Sequence, residues 1–456
     1  ARVHPETTCF RVEGVAFFAC PAFARGAKQI RNFHNIYQVY FYFLLNLLYK
    51  ILLILAPMFY KFIIFFLLTH SLYSTESDEY VLLISMDGFR YDYLDKANTP
   101  NFDKIVNTGA SAKALVPIFI SKTFPNHYSI VTGMYAENHG LIANTFYAND
   151  LQKQYSIRDR NAVENGKFYG GEPIWVTAEK QNVITASYFW VGSEAVIKNH
   201  QPTYWKKYDQ KVTFNSRVDS VISWFSKPIE SRPRLALLYF HEPDWTGHEY
   251  GPNSQEIIEK IKEMDTVVGE LYDKLSKLSI YDKLNVIIVS DHGMTDVSDE
   301  KIIDLSSFTD LSKLRVNGAG PTVFISSDSK QLLKKTYKDL KSINNADVYW
   351  KQNIPNRFHY KNHTRIPDIL IVADEGWSLM PLGHGASRPK GSHGYDNQLD
   401  NMKAIFLAKG PAFKSGYIRE EFENIHIYPL IAHILGIDPY KDIDGDINTV
   451  KDLLSR

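Results

Sequence analysis

The chain has almost no cysteine. Only Cys9 and Cys20 occur among its 456 residues, and both precede the first methionine, Met58. Past that point a disulfide framework, a thiolate metal site and a cysteine nucleophile are all excluded. An excess of either charge is missing as well: 51 basic residues face 51 acidic ones, so no global field favours nucleic acid. Repeats, low-complexity tracts and a Gly/Ser-rich linker are absent after the first eighty residues. What the sequence does have is apolar material, 45% of the chain, enough for one large core.

The first eighty residues differ in kind from the rest. Residues 37–74, YQVYFYFLLNLLYKILLILAPMFYKFIIFFLLTHSLYS, are apolar and aromatic, broken only by Gln38, Asn46, Lys50 and Lys61. Read from Ala1, they have the length for one or two membrane passes. Read from Met58, they give Met-Phe-Tyr-Lys, an apolar run from Phe62 to Leu68, and small polar residues ending near Ser71 or Ser74. That is the layout of a secretory signal peptide. We expect residues 1–57 to be a non-native or anchor extension and residues 58–74 a signal peptide or membrane anchor. Either places the remainder outside the cytosol, secreted or attached to the cell surface. The sequon Asn362-His363-Thr364 agrees, weakly because sequons are short.

From Glu79 onward, short apolar runs alternate with amphipathic segments. YVLLISMDG (80–88), VITASYFW (183–190), LALLYFHEPD (235–244), LNVIIVSDHG (284–293), DILIVADEG (368–376) and KAIFLAKG (403–410) read as buried strands of a largely parallel sheet. Helices fall between them. The clearest follows Ser254, a good N-cap, with Ile257, Ile261, Met264, Val268, Leu271, Leu275 and Leu278 at steps of four and three. One α/β domain over residues 78–456 is expected.

Three of these runs end in one chemical vocabulary: Asp87 closes the first, Asp244 the third, and Asp291-His292 the fourth. In an open parallel sheet the carboxyl ends of the strands share one edge, where ligands bind, so residues far apart in sequence converge there. A single strand-end aspartate is usually a turn residue; three together point to a site. Carboxylates alone suit magnesium or calcium, whereas mixed oxygen and nitrogen donors suit zinc and other borderline transition metals. In DWTGH, Asp244 and His248 sit four apart, on one helical turn or across a tight loop. A further histidine arrives in GSHGYDN. Thr123, in KTFPNHYSIVTG, sits where a helix begins near Phe124 and reads first as its N-cap.

The blocks LLISMDGFRYDYL, KTFPNHYSIVTGMYAENHG, FHEPDWTGHEYGP, VIIVSDHGM and GSHGYDN resemble, in order, those of the ectonucleotide pyrophosphatase/phosphodiesterase family, a branch of the alkaline phosphatase superfamily. The likeness runs from about Tyr80 to His393, and MKAIFLAKGPAFKSG and IHIYPLIAHILGI are similar to the family's closing strand and helix. It implies an alkaline-phosphatase-like α/β domain, a mostly parallel central sheet with helices on both faces, of the short single-domain type. Residues 78–456 would then be the phosphodiesterase catalytic domain.

The resemblance further implies two zinc ions and a threonine nucleophile. One zinc would be held by Asp244, His248 and His393, the other by Asp87, Asp291, His292 and the Thr123 oxygen. Thr123 would attack phosphorus, form a nucleotidyl-threonine and release a nucleoside 5'-monophosphate from a nucleotide or dinucleotide such as a nucleoside triphosphate, NAD or a diadenosine polyphosphate. The Thr123 amide and Asn144 would steady the phosphoryl oxygen, and Phe124 and Tyr208 would sandwich the base, with Trp190 and Tyr204 as further candidates.

His384 offers the same His-Gly pair as His393, but His393 precedes the family's Gly-Tyr-Asp-Asn block. His127 and His139 are expected to orient the nucleophile's helix and the loop after it, while His241, His359, His426 and His433 are read as packed or solvated. The basic run 329–342 reads as a solvated helical face. Two other functions stay open: a choline-lysophospholipid phosphodiesterase, which needs a deep apolar pocket, and a non-catalytic surface binding protein. A sulfatase is disfavoured, since its formylglycine usually derives from cysteine.

Overall fold

The computed structural model describes residues 41–53, 78–381 and 388–455. Two compact units divide the chain, Ala1–Glu76 and Ser77–Arg456. In the first, residues 41–53 are helical, and the expected signal segment 58–74 lies outside the described residues, as does His384. No helix among the described residues is long and apolar enough to cross a membrane.

The second unit is built on an eight-stranded sheet. Its strands are β1 (Tyr80–Met86), β2 (Ala110–Ala112), β3 (Thr185–Tyr188), β4 (Tyr204–Lys206), β5 (Leu235–Phe240), β6 (Leu284–Val289), β7 (Phe406–Lys409) and β8 (Tyr417–Arg419). They lie in the order β8-β2-β7-β6-β1-β5-β3-β4. Strands β6, β1, β5, β3 and β4 run parallel, and β7 joins β6 antiparallel.

Strand β1 shows why the apolar runs are continuous. Val81 and Leu83 face a core shared with Tyr128, Ile130, Leu430 and Ile431. Leu82, Ile84 and Met86 face the other, with Val218, Ile257, Ile261 and Met264. Side chains alternate across a strand, so a sheet covered on both sides needs apolar residues at every position. The covers are α1 (Thr123–Thr132) and α5 (Ile427–Leu435) on the first face, and α2 (Phe214–Phe225) and α4 (Gln255–Leu275) on the second. The fold is therefore α/β, mostly parallel, with helices on both faces.

Helix α4 begins as its sequence requires: the Ser254 hydroxyl accepts the Ile257 N–H at 3.2 Å. It stops at Leu275, leaving Leu278 half-buried just beyond it. One expected strand joins a different sheet. Ile369–Ala373 lies in a separate four-stranded sheet with Arg315–Asn317, Thr322–Ser326 and Ala346–Trp350, antiparallel to its neighbours. An apolar run announces burial without naming its partner; here Ile369 and Ile371 pack under Leu333 and Leu340 of the helix Lys330–Leu340, whose lysines face outward as its basic run suggested.

Candidate active site

Because β1 lies between β5 and β6 and all three run parallel, their carboxyl ends meet at one rim. Asp87 follows β1, Asp244 opens the short helix α3 (Asp244–Tyr250) after β5, and Asp291 and His292 follow β6. The exits are tied together. Asp87 N–H donates to Phe240 O at 3.0 Å, and Asp244 N–H donates to Asp87 O at 2.9 Å. Gly88 N–H reaches Asp291 Oδ1 at 3.2 Å. Gly88 takes φ +68°, and a Cβ there would lie 2.8 Å from Asp244 Cα, so the turn requires glycine twice over.

Seven expected site residues converge on this rim. Asp244 and His248 share α3, with His248 Nε2 3.5 Å from Asp244 Oδ1, which resolves the spacing of DWTGH in favour of one helical turn. His393 Nε2 lies 3.6 Å from the same oxygen. His292 Nε2 lies 3.0 Å from Asp291 Oδ2, 3.5 Å from Asp87 Oδ1 and 3.3 Å from Thr123 Oγ1. The His292 and His393 rings stack at 3.5 Å, joining the two groups. By proximity alone, Asp244, His292 and His393 form one cluster of donor atoms, and Asp87, His127 and Asp291 another.

Each of three imidazoles is held by its far nitrogen. Nδ1–H of His248 donates to Gly391 O at 2.7 Å, that of His393 to Ser121 O at 2.8 Å, and that of His292 to Gly293 O at 2.8 Å. Backbone carbonyls cannot donate, so these contacts set the tautomer and turn the Nε2 lone pairs toward the rim. His127 differs. Its Nδ1 lies 2.9 Å from Thr123 O and 3.3 Å from Asp291 Oδ2, and its Nε2 2.7 Å from Ser85 Oγ. With both nitrogens engaged, it ties the helix of Thr123 to the strand floor. His139 bonds Ser129 Oγ at 2.8 Å and accepts Leu141 N–H at 3.1 Å, linking α1 to the loop after it.

Thr123 is not the N-cap that its sequence suggests. Helix α1 starts at Thr123 itself, Lys122 is the cap residue, and the Thr123 hydroxyl makes no capping bond. The hydroxyl instead faces His292, while the Thr123 N–H has no protein partner among the described residues. Pro125, in the first turn, lacks an N–H that would need one. Asn144 Oδ1 accepts the Phe124 N–H at 2.9 Å, which points its NH2 group elsewhere.

The electrostatics test whether cations fit. Asp87 Oδ1, Asp244 Oδ1 and Asp291 Oδ2 are buried without a hydrogen-bond partner. Orphaned carboxylate oxygens are costly, and here all three face imidazole nitrogens. Burial, then the nearby Asp291 and Asp244, raise the Asp87 carboxyl well above the usual range. Burial opposes the charge on Asp291 too, but His292 and His127 outweigh it and hold that carboxyl well below the usual range. Burial, with His292 and Lys122 beside it, pushes His393 well down, toward the neutral form that binds metals. Mixed Asp oxygens and His nitrogens with no thiolate fit a pair of divalent cations of the zinc class.

Beside the rim opens a cavity of about 250 Å³ lined by Asp87, Thr123, Asp244 and the aromatic rings of Phe124, Trp190 and Tyr208. Tyr208 is propped by Phe189, ring centroids 5.1 Å apart. Tyr204 is not part of it: its ring stacks on Trp224 and its hydroxyl donates to Ser231 O. Asn144 lines an adjoining depression with Lys122. Of the histidines read as bland, His359 stacks on Tyr135, His426 accepts Asp446 N–H and His433 is exposed, but His241 lines the cavity. Sequence reasoning also missed Tyr239, whose hydroxyl donates to Asp87 Oδ2 at 2.6 Å. Inside the run LALLYF it looks like one more core residue; only the rim geometry singles it out.

Residues 81–396 match the model of the type I phosphodiesterase/nucleotide pyrophosphatase family. The chain belongs to that family. It is accordingly a hydrolase. A bis(5'-adenosyl)-triphosphatase of Mus musculus is 39% identical over 386 residues, 84% of this chain and 82% of that protein. Ectonucleotide pyrophosphatase/phosphodiesterase family member 5 of Homo sapiens is 36% identical over 87% of this chain and 82% of its own. The solved murine ectonucleotide pyrophosphatase/phosphodiesterase 5 superposes with a TM-score of 0.80 at 36% identity, covering 83% of this phosphodiesterase and 100% of that chain. The same murine protein has been solved as an inactive threonine-to-alanine variant in complex with AMP, 35% identical with a TM-score of 0.80.

Proposed function

We propose that the protein is an extracellular two-zinc phosphodiesterase that cleaves nucleotides or dinucleotides to nucleoside 5'-monophosphates through a covalent threonine intermediate. One observation carries the reading: three orphaned carboxylate oxygens and the Nε2 atoms of His248, His292 and His393 gather at one rim, where the Thr123 hydroxyl meets His292 and, with Asp87 and Asp244, lines an aromatic cavity. The relatives' names, a dinucleotide hydrolase and a protein solved with AMP, support the substrate class.

Asp244, His248 and His393 would hold one cation, and Asp87, Asp291, His292 and the Thr123 oxygen the other. Bound there, the pair would neutralise the carboxylates, favour the ionised threonine hydroxyl and stabilise charge on a departing oxygen. The chain's own residues do the rest. Phe124 and Tyr208 hold the base in the cavity and so place the adjoining phosphorus before Thr123 Oγ1. Oγ1 gives up its proton to solvent water as it bonds to phosphorus, and the opposite P–O bond breaks with its electron pair going to the leaving group. The positive end of α1, the Thr123 N–H and the Asn144 amide are donors for the phosphoryl oxygen. Water then breaks the threonine–phosphorus bond, restoring the hydroxyl and freeing the 5'-monophosphate.

Thr123→Ala tests this. We expect kcat/KM on a nucleoside triphosphate or diadenosine triphosphate to fall by about a thousandfold or more, with metal content by elemental analysis unchanged. Activity close to wild type would end the nucleophile assignment. Export rests on the apolar stretch ahead of the body. Amino-terminal sequencing of protein recovered from the medium of expressing cells should begin just past Ser71 or Ser74; retention of all material in the cytosol would contradict it.

A further inference from the structure

Two buried carboxylates at the rim divide their oxygens in the same way. Asp291 Oδ1 accepts the Gly88 N–H and the Ser290 hydroxyl, each at 3.2 Å, while Oδ2 is left to the imidazoles. Asp87 Oδ2 accepts the Tyr239 hydroxyl at 2.6 Å, while Oδ1, buried and without a hydrogen-bond partner, lies 3.5 Å from His292 Nε2. A carboxylate free to turn about its Cβ–Cγ bond offers a cation either oxygen or both. One held by a donor offers a fixed oxygen in a fixed direction. For Asp291 the donors are a turn amide and the neighbouring serine; for Asp87 the donor comes from the next strand, in the middle of an apolar run.

The hydroxyl is itself held in place. Tyr239 sits on β5 opposite Ser85 of β1, and the fully buried Arg217 donates from Nη1 to the Tyr239 carbonyl at 2.8 Å. The tyrosine ring packs edge-on against His127, centroids 5.2 Å apart, and tilted against Tyr208 at 6.2 Å. Since His127 also touches Thr123 O and Asp291 Oδ2, the ring is braced by the elements that carry the rest of the Asp87 group. We infer that Tyr239 is a positioning residue for one of the two cation groups: its hydroxyl holds Asp87 so that Oδ1 faces the site shared with Asp291, His292 and Thr123, and thereby sets the affinity of that site alone. The inference rests on the two-cation reading proposed above and adds a residue outside the ligand set that distinguishes one site from the other.

The experiment measures the binding of zinc alone to the full chain, by titrating metal-free protein in competition with a chromophoric chelator. Wild type should take up two ions. Tyr239→Phe keeps the ring and deletes only the hydroxyl; it should bind one ion about tenfold more weakly and the other as wild type does, with the thermal midpoint of the metal-free protein near wild type. His248→Ala removes a ligand of the Asp244 group and so assigns the sites: the ion it still holds should weaken about tenfold when Tyr239→Phe is added. Two ions held by Tyr239→Phe as tightly as by wild type would overturn the inference. So would equal weakening of both ions with a lowered metal-free midpoint, which marks a packing role. A wild type that binds fewer than two ions would overturn the two-cation reading and this inference together, whereas two ions indifferent to the hydroxyl would remove this inference alone.

Discussion

His139 shows how a single buried residue sets the chain's behaviour in acid. Burial, with His363 and Arg365 nearby, pushes it down from 6.5 to about 3. Its folded value lies below its unfolded value, so between them the unfolded chain binds the proton and the folded chain does not. Its contribution to stability is therefore complete above about pH 6.5 and is lost as pH falls toward 3. In His139→Gln the denaturant midpoint should fall less steeply over that window than in wild type; identical slopes would show that His139 is charged without cost. Residue chemistry was the most legible layer of the sequence. Asp87, Asp244, Asp291 and His292 stood out because strand-end acids are unusual in such number, whereas the roles expected of Thr123, His248 and His393 came from the family resemblance of their blocks. Tyr239 could not be singled out: a tyrosine in an apolar strand becomes distinctive only when its surroundings are known.

At the scale of elements, the turn after β1 is the critical joint. Gly88 sits at φ +68° against the Asp244 backbone, so Gly88→Ala would add about 1–2 kcal/mol of backbone strain and push α3 away from the rim. Metal affinity and kcat/KM should therefore drop more than the thermal midpoint implies, a difference that metal titration beside calorimetry would reveal. If both properties change in proportion, the turn serves stability alone. Elements with strong periodicity were readable, α4 with its Ser254 cap above all. The start of α1 was not, because Ser, Thr and Asn at a helix beginning usually cap it, and here the backbone starts one residue earlier to leave the hydroxyl free.

For the whole molecule, cations held by the candidate ligands would act on stability as well as on chemistry. A site that exists only in the folded chain stabilises it by about 2.7 kcal/mol when free metal is a hundredfold above Kd. Chelation should lower the thermal midpoint along with activity, and zinc should restore both. A midpoint indifferent to chelator would mean that the clustered carboxylates tolerate one another without a cation. With no cysteine after Cys20, no disulfide in the body can mask the effect.

The sequence by itself determined the fold class and the order of its chemistry. Apolar runs at every strand position demand a sheet covered on both faces, and parallel strands place the acids that end them at one edge. It did not decide which sheet the run 369–373 would join, which carboxylate oxygens would be left without partners, or which aromatics would border the cavity. Those depend on contacts between residues roughly one to three hundred positions apart, such as Tyr239 with Asp87 and His393 with Ser121, and on packing that local pattern does not encode.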